Sequence, residues 1–578
     1  MVTTTSKTKA KPKKAKKPAL TPEQRRTKKI KSDHMRGARS VFRSAGFDRV
    51  TEVAEKEISF GGQTGEFDDA FIYENVILLV EYTTSGTSYI SDHLKNKKII
   101  FGKVLDDSPG FISYLREKFT AFDDRLGTKF HPDKYILKIV YCSRYEVDTA
   151  IKLIVDEPVY LDYPVLKYFE KICSTIKLSS LAEVLGFIGI DPTKVAHKGV
   201  FTKNAPENKF DGSILPESAS GFPKGYKVVS FYADAASLLQ RAFVLRREGW
   251  RGSFQAYQRM IQPAKIDAIR KKLKTDGQVF VNNLIATLPS DVHPVGQDGK
   301  TTDIKALKET APVKITLPLR PNSIGLIDGQ HRLFSYYESR EDDAQIATLR
   351  NEQNLLVTGI IYPPDTNQAD AERFEATLFL AINANQTNAP PALRQEIEVI
   401  LKPYSATAIG KQVIQRLAVS GPLAGHIENY FFDKGKLKTT SIVSYGLGPL
   451  IKLSGTDSMF TIFSHPEKDS IASGDAPAAL EEYLKFSASN ISIFLGALKA
   501  NVEKDRWTTD PKVTDRILSV TYVNSFLITL RLIIAAGIPI EFESLKKKLA
   551  GIEKFSFGAF HSSQYNRMAE KIFKDHFS

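Results

Sequence analysis

Residues 66–83 read EFDDAFIYENVILLVEYT. Two runs of Phe, Ile, Tyr, Val and Leu flank Glu74-Asn75, and a short polar turn between such runs marks a β-hairpin. Antiparallel pairing about that turn sets Tyr73 opposite Val76 and, stepping outward, Asp68 opposite Glu81. Directly opposed side chains point to the same side of a hairpin, so these two carboxylates converge. A pair placed this way can hold Mg²⁺, which takes few protein ligands and fills its shell with water and phosphate oxygens.

Working outward, Met35–Gly46 reads as a short helix before the hairpin. SDHLKNKKIIFGKVL (91–105) opens on a Ser/Asp helix-start signal and carries a basic face with Lys95, Lys97 and Lys98. KYILKIVYCSR (134–144) is a further strand, and 150–190 looks largely helical. Helices and strands alternating in this way predict a small α/β domain over 37–190. A loop-rich stretch, 191–227, reads as a linker. From 228 to 400 a second α/β domain is expected, with a helix in PAKIDAIRKKLKTDG and strands in NNLIATL, KITLPL, SIGLID and LLVTGIIY. Residues 401–578 are mostly 3.6-periodic and predict a helical C-terminal region. The fold class is therefore multidomain α/β with a helical end.

A chain of 578 residues is too long for one core, and 42% hydrophobic with 25% charged residues is an ordinary globular balance. The only cysteines are Cys142 and Cys173, which excludes a disulfide scaffold and a Cys-rich zinc cluster and fits a reducing cytoplasm. No histidine pair has zinc-site spacing. The most apolar stretch, 516–537, contains Arg516 and Arg531, so it predicts a buried helix and no membrane span. The N-terminus lacks the apolar stretch of a secretory signal. Residues 1–36 hold 13 of the 80 Lys/Arg and 2 of the 66 Asp/Glu, hence 11 of the 14 net positive charges. That segment is expected to be a disordered basic tail drawn to polyanions such as DNA.

The order of helix, strand with Asp68, strand with Glu81 and basic helix resembles the PD-(D/E)XK nuclease superfamily. There an Asp of one strand and an Asp/Glu-x-Lys of the next bind metal and place the attacking water. The resemblance covers about residues 37–145 and implies catalytic Asp68 and Glu81 with Mg²⁺ as cofactor. Thr83 stands at the lysine position. Lys95, or Lys97 or Lys98 beside it, would supply the cation from the following helix, as in members whose lysine has migrated.

Residues 322–337, NSIGLIDGQHRLFSYY, run an apolar strand into Asp328-Gly329-Gln330 and a helix from His331. Such a turn aims backbone N–H groups and the positive end of the helix dipole at one point. Asp328 is expected to cap the helix, with His331 and Arg332 adding donors suited to a phosphate. Tyr257-Gln258-Arg259, Asn282-Asn283-Leu284-Ile285 and the run from Phe379 to Gln386 accompany it in order. Together these resemble the DGQHR-domain proteins, including the regulator linked to DNA phosphorothioate modification. That family is similar to the ParB/sulfiredoxin superfamily, whose equivalent turn binds nucleoside triphosphates. The resemblance implies a ParB-like fold, NTP as a cofactor, and a lining of Gln258, Arg259, Asn283 and Asn385 around Asp328, Gly329, Gln330, His331 and Arg332. From the residues alone, Asn283 reads equally as a strand-edge cap and Asn385 as a turn former. Sulfiredoxins carry their catalytic cysteine in this turn. Gln330 stands there instead, which excludes peroxiredoxin repair.

Three functions stay open on these grounds. The leading one is a DNA-binding component of a prokaryotic DNA-modification, restriction or defence system, working beside DNA-modification proteins. The others are a Mg²⁺-dependent, NTP-gated endonuclease and a non-catalytic transcriptional regulator. Thr83 favours binding alone, whereas the Asp68/Glu81 pair favours catalysis.

Overall fold

Thr21 opens the first helix, α1 (Pro22–Ser44), with a capping box. Its hydroxyl accepts from the Gln24 amide at 3.2 Å, and the Gln24 side chain accepts from the Thr21 N–H at 3.0 Å. The computed structural model describes residues 21–195, 208–246, 250, 258, 260–386 and 391–578. Residues 22–36, expected to be disordered with the rest of the tail, are helical; residues 1–20 lie outside the described residues. Capping, Pro22 at the first turn and the good helix formers Gln, Arg and Lys outweigh the charge. The buried stripe of α1 begins only at His34 and continues through Met35, Ala38, Val41 and Phe42.

The chain divides into two compact units, Met1–Leu166 and Lys167–Ser578. Unit one is built on five strands: β1 (Asp48–Arg49), β4 (Asp69–Tyr73), β5 (Val76–Thr83), β6 (Ile136–Ser143) and β7 (Val159–Asp162), in the order β1-β4-β5-β6-β7. A separate hairpin, β2 (Ile58–Phe60) with β3 (Gln63–Gly65), lies outside that sheet. β4 and β5 pair antiparallel with Tyr73 opposite Val76 and Asp69 opposite Val80, and β6 and β7 continue the sheet in parallel. All eight residues of β5 are buried, as a central strand covered on both faces requires.

The two-residue period sorts β4 and β5 cleanly. Ala70, Ile72, Ile77 and Leu79 join one core with Ile139 and Tyr141 of β6 and with Ile90, Leu94, Phe101 and Val104 of α2 (Thr87–Asp106). Asp69 and Phe71 face the other way, towards α1, where Phe71 packs 5.1 Å from Phe42. Asp69 is wholly buried there. It accepts from Arg39 at 2.6 Å, from Arg49, and from the Tyr82 hydroxyl at 2.9 Å.

Unit two is a seven-stranded mixed sheet followed by helices. Its strands are β8 (Lys209–Ile214), β9 (Lys227–Asp234), β10 (Ala242–Phe243), β11 (Leu284–Leu288), β12 (Ala311–Thr316), β13 (Ile324–Asp328) and β14 (Asn354–Ile361), in the order β10-β13-β11-β14-β9-β8-β12. β8 lies inside the stretch expected to be a linker. Its sequence, KFDGSI, looks like loop, yet Gly212 lets it approach β9 so closely that a Cβ would sit 2.4 Å from the Ser230 carbonyl. The boundary expected at 190 falls at 166 instead, because Tyr168, on a helix spanning Tyr163–Ile176, bonds to Glu183, which also pairs with Arg246 beyond β10. From Pro391 on the described chain is helical, with Val520–Ala535 central to a core that includes Phe494, Leu527 and Ile533. No helix among the described residues is long and apolar enough to cross a membrane.

Asp69→Ala leaves two guanidinium groups and a phenol around an empty site. It is expected to cost roughly 3 kcal/mol, the scale for breaking a buried ion pair from one side, read as a lowered urea midpoint.

Candidate functional sites

The face of unit one that carries α2 gathers the first site. Asp68 precedes β4, and its Oδ2 accepts from the Tyr82 N–H at 2.7 Å, which ties it to the end of β5. Glu81 is buried on the same face, and its Oε1 accepts from Lys97 Nζ at 2.6 Å; the same ammonium donates to the Glu66 carbonyl at 2.6 Å. Burial pushes the Glu81 carboxyl up to about 7 against the pull of Lys97, and the neighbouring Asp68 and Glu66 charges add to the rise. Burial raises Asp68 as well, opposed by the Tyr82 N–H and the charges of Lys31 and Lys97. Each carboxylate thus has one oxygen held, while the other meets no hydrogen-bond donor among the described residues. That donor set fits a hard divalent cation. No cluster of three or more His, Cys, Asp or Glu able to hold a metal exists among the described residues, so such an ion would rest on two carboxylates, as Mg²⁺ does when water and phosphate complete its shell.

The cation paired with Glu81 is Lys97. Lys95, the expected substitute for Thr83, is exposed one hundred-degree step away from that face, and Lys98 donates to the Ile154 carbonyl at 2.5 Å. The signal was present in α2: its inward stripe runs Ile90, Leu94, Phe101, Val104, and only position 97 among the three lysines falls on it. His93, one turn before Lys97, is half-buried with Nδ1 3.1 Å from the Tyr141 hydroxyl, and Tyr141 stands opposite Glu81 in the β5–β6 register. Burial, helped by the Lys97 charge, lowers the His93 pKa.

The second site is the turn after β13. The helix runs over Gln330–Phe334 only, and Gly329 caps it with φ +97°. Asp328 does not cap the helix as expected. A glycine in the left-handed conformation takes the cap position, and Asp328 instead accepts from Arg332 Nη2 at 2.9 Å. A Cβ on Gly329 would meet Leu284 Cδ2 at 2.3 Å, and the left-handed φ would strain any side chain placed there. Arg332 Nη2 also donates to the Asn283 carbonyl at 2.8 Å, and the Asn283 amide donates to Thr358 Oγ1 at 2.8 Å. His331 Nε2 accepts from the Gln262 N–H at 3.1 Å. Gln258 is buried and donates to the Leu326 carbonyl. Arg259 lies outside the described residues. Asn385 falls in the helix Gln368–Gln386, and its side chain likewise lies outside what is described.

Sequence patterns missed Arg246. Its side chain is fully buried, donating to Gln330 Oε1 at 3.2 Å and to Glu183 at 3.0 Å, while Nη2 has no partner among the described residues. Arg332 Nε is likewise buried with no partner among the described residues. Trp250 packs edge-on against Phe187 at 5.8 Å. Compared with protein-family models, curated proteins and solved structures, the chain matches none.

Because the folded Glu81 carboxyl titrates near 7 and an unfolded one near 4.5, the native chain holds a proton between those values that the unfolded chain has released. Native stability contributed by this group therefore falls as pH rises through that window. Glu81→Gln is expected to flatten the fall, measured as a smaller difference between denaturant midpoints at pH 5 and pH 8 than wild type shows.

Proposed function

We propose that this chain is a cytoplasmic, DNA-acting component of a prokaryotic DNA-modification, restriction or defence system, and that its first unit is a divalent-metal-dependent phosphodiesterase of the PD-(D/E)XK kind. One observation carries the reading: Asp68 and Glu81 share a face of the hairpin, with Lys97 donating to Glu81 at 2.6 Å. Asp68 and Glu81 would hold Mg²⁺, which when bound would activate water and stabilise the leaving oxygen. Lys97 holds Glu81 in place and brings a positive charge to where negative charge grows on the phosphate, the task Thr83 cannot perform. The Tyr82 N–H fixes Asp68 on the same side. The basic half of α1 and the tail before it would supply sequence-independent attraction to the nucleic-acid backbone.

This reading predicts DNA cleavage by the full chain with Mg²⁺ or Mn²⁺. Asp68→Ala should abolish it by several orders of magnitude while leaving binding nearly intact, and Lys97→Ala should lower it roughly 10²–10³-fold. Lys95→Ala should leave the rate unchanged. No cleavage of modified or unmodified DNA with either metal, with or without NTP, removes catalysis.

A second reading concerns the DGQHR turn, as a site for nucleotide or DNA phosphate. It is favoured by Arg246 Nη2 and Arg332 Nε, two buried guanidinium donors beside Gln330 and Gly329 that have no partner among the described residues. Arg332→Ala is expected to weaken nucleotide or DNA phosphate binding by roughly 1.5–3 kcal/mol, the scale of a charged hydrogen bond. Equal calorimetric affinity for wild type and variant would make the turn purely structural.

A further inference from the structure

One aromatic residue of α2 is largely exposed. Tyr89 lies one turn before His93 and two before Lys97, yet its side chain is 60% exposed. It is not loose. Its ring stacks on the His93 imidazole, centroids 6.1 Å apart and planes 14° from parallel. His93 is braced in turn by the Tyr141 hydroxyl at 3.1 Å, with ring centroids 5.9 Å apart. Tyr141 is the β6 partner of Glu81. A series of three contacting rings, the outer pair stacked and the inner pair tilted by 39°, thus runs from the carboxylate site outward and ends in an exposed aromatic ring.

On the α1 side, a groove of about 590 Å³ adjoins the end of β5; its charged lining residues are Lys28, Lys31 and Glu23, a net positive set, and the Lys31 charge reaches Asp68. Lysines along a groove attract phosphates and carry no demand on base identity. A supported aromatic face is what an unpaired base takes up, because every base has a π-face. In a duplex those faces are covered by neighbouring base pairs, so a ring at this position has nothing to stack on.

We infer that Tyr89, propped by His93, is a stacking platform for an unpaired base next to the phosphate that a divalent metal on Asp68 and Glu81 would hold, so that the first unit acts on single-stranded stretches of nucleic acid. The inference rests on the phosphodiesterase reading for its choice of ligand, and it is tested separately from catalysis.

The full chain, with Ca²⁺ in place of Mg²⁺ so that the site is filled without cleavage, is titrated with a single strand carrying 2-aminopurine and with the duplex of the same sequence. Wild type should quench the 2-aminopurine of the single strand. Tyr89→Ala should lose the quench and bind the single strand about tenfold or more weakly, with duplex affinity unchanged. Tyr89→Phe should keep both. His93→Gln, which leaves Tyr141 a hydrogen-bond partner but removes the imidazole face, should show a partial loss. Equal single-strand affinity and quench for wild type and Tyr89→Ala would overturn the platform, as would an equal loss on both DNA forms. If wild type shows this binding pattern but cleaves nothing with Mn²⁺, the nuclease reading falls and the platform stands; cleavage indifferent to Tyr89, with no quench, does the reverse.

Discussion

The pairing of β4 with β5 about Glu74-Asn75 governs unit one. Side chains alternate faces every residue along a strand, so a slip of one position would exchange the two faces completely. In the register found, Ala70, Ile72, Ile77 and Leu79 enter the α2 core, Asp68 and Glu81 follow on that same face, and Asp69 turns to α1. Adjacent aspartates therefore meet opposite environments. Asp69 has both oxygens engaged by two arginines and a tyrosine, whereas Asp68 and Glu81 each keep an uncommitted oxygen. Burial that would be costly for Glu81 alone is offset by one ammonium, and the compromise leaves its carboxyl poised near neutrality.

Unit two uses its polar residues differently. The DGQHR residues bind one another and the flanking strands: Arg332 bridges Asp328 and the Asn283 carbonyl, and Gln330 meets Arg246. Two strand ends are thereby locked to a glycine turn whose left-handed backbone strains any side chain. Rigidity of this kind is what a binding pocket needs, because preorganised donors lose little freedom when a ligand arrives.

The hairpin, its register and the carboxylate pair could be read from 66–83 because turn chemistry and period-two alternation are local. Most strands of unit two were legible for the same reason, as apolar runs between turn residues. Choosing Lys97 over Lys95 required the 3.6-residue phase of α2, which the run KNKK obscures. β8 was illegible because Asp211 and Gly212 suppress strand propensity, and what rescues it is a close approach of β9 visible only in three dimensions. The helical start at Thr21 was hidden by lysine-rich composition although its capping residues were in view. The partners of Arg332 and Arg246 could not be anticipated, since a backbone carbonyl as acceptor leaves no trace in side-chain identity.

The strand order of unit two has a consequence during synthesis. β9 pairs with β8 locally but with β14 across 120 residues, Asp234 opposite Asn354. At about 5–20 residues per second, the ribosome delivers β14 roughly 6–25 s after β9. Through that interval one edge of β9 has unpaired N–H and C=O groups, beside the apolar Val229 and Phe231 that are buried in the finished sheet. Nascent chains emerging together on a polysome could pair through that edge with each other. Yield of the native protein should then depend on how long the edge waits, and so on the pace of translation between β9 and β14.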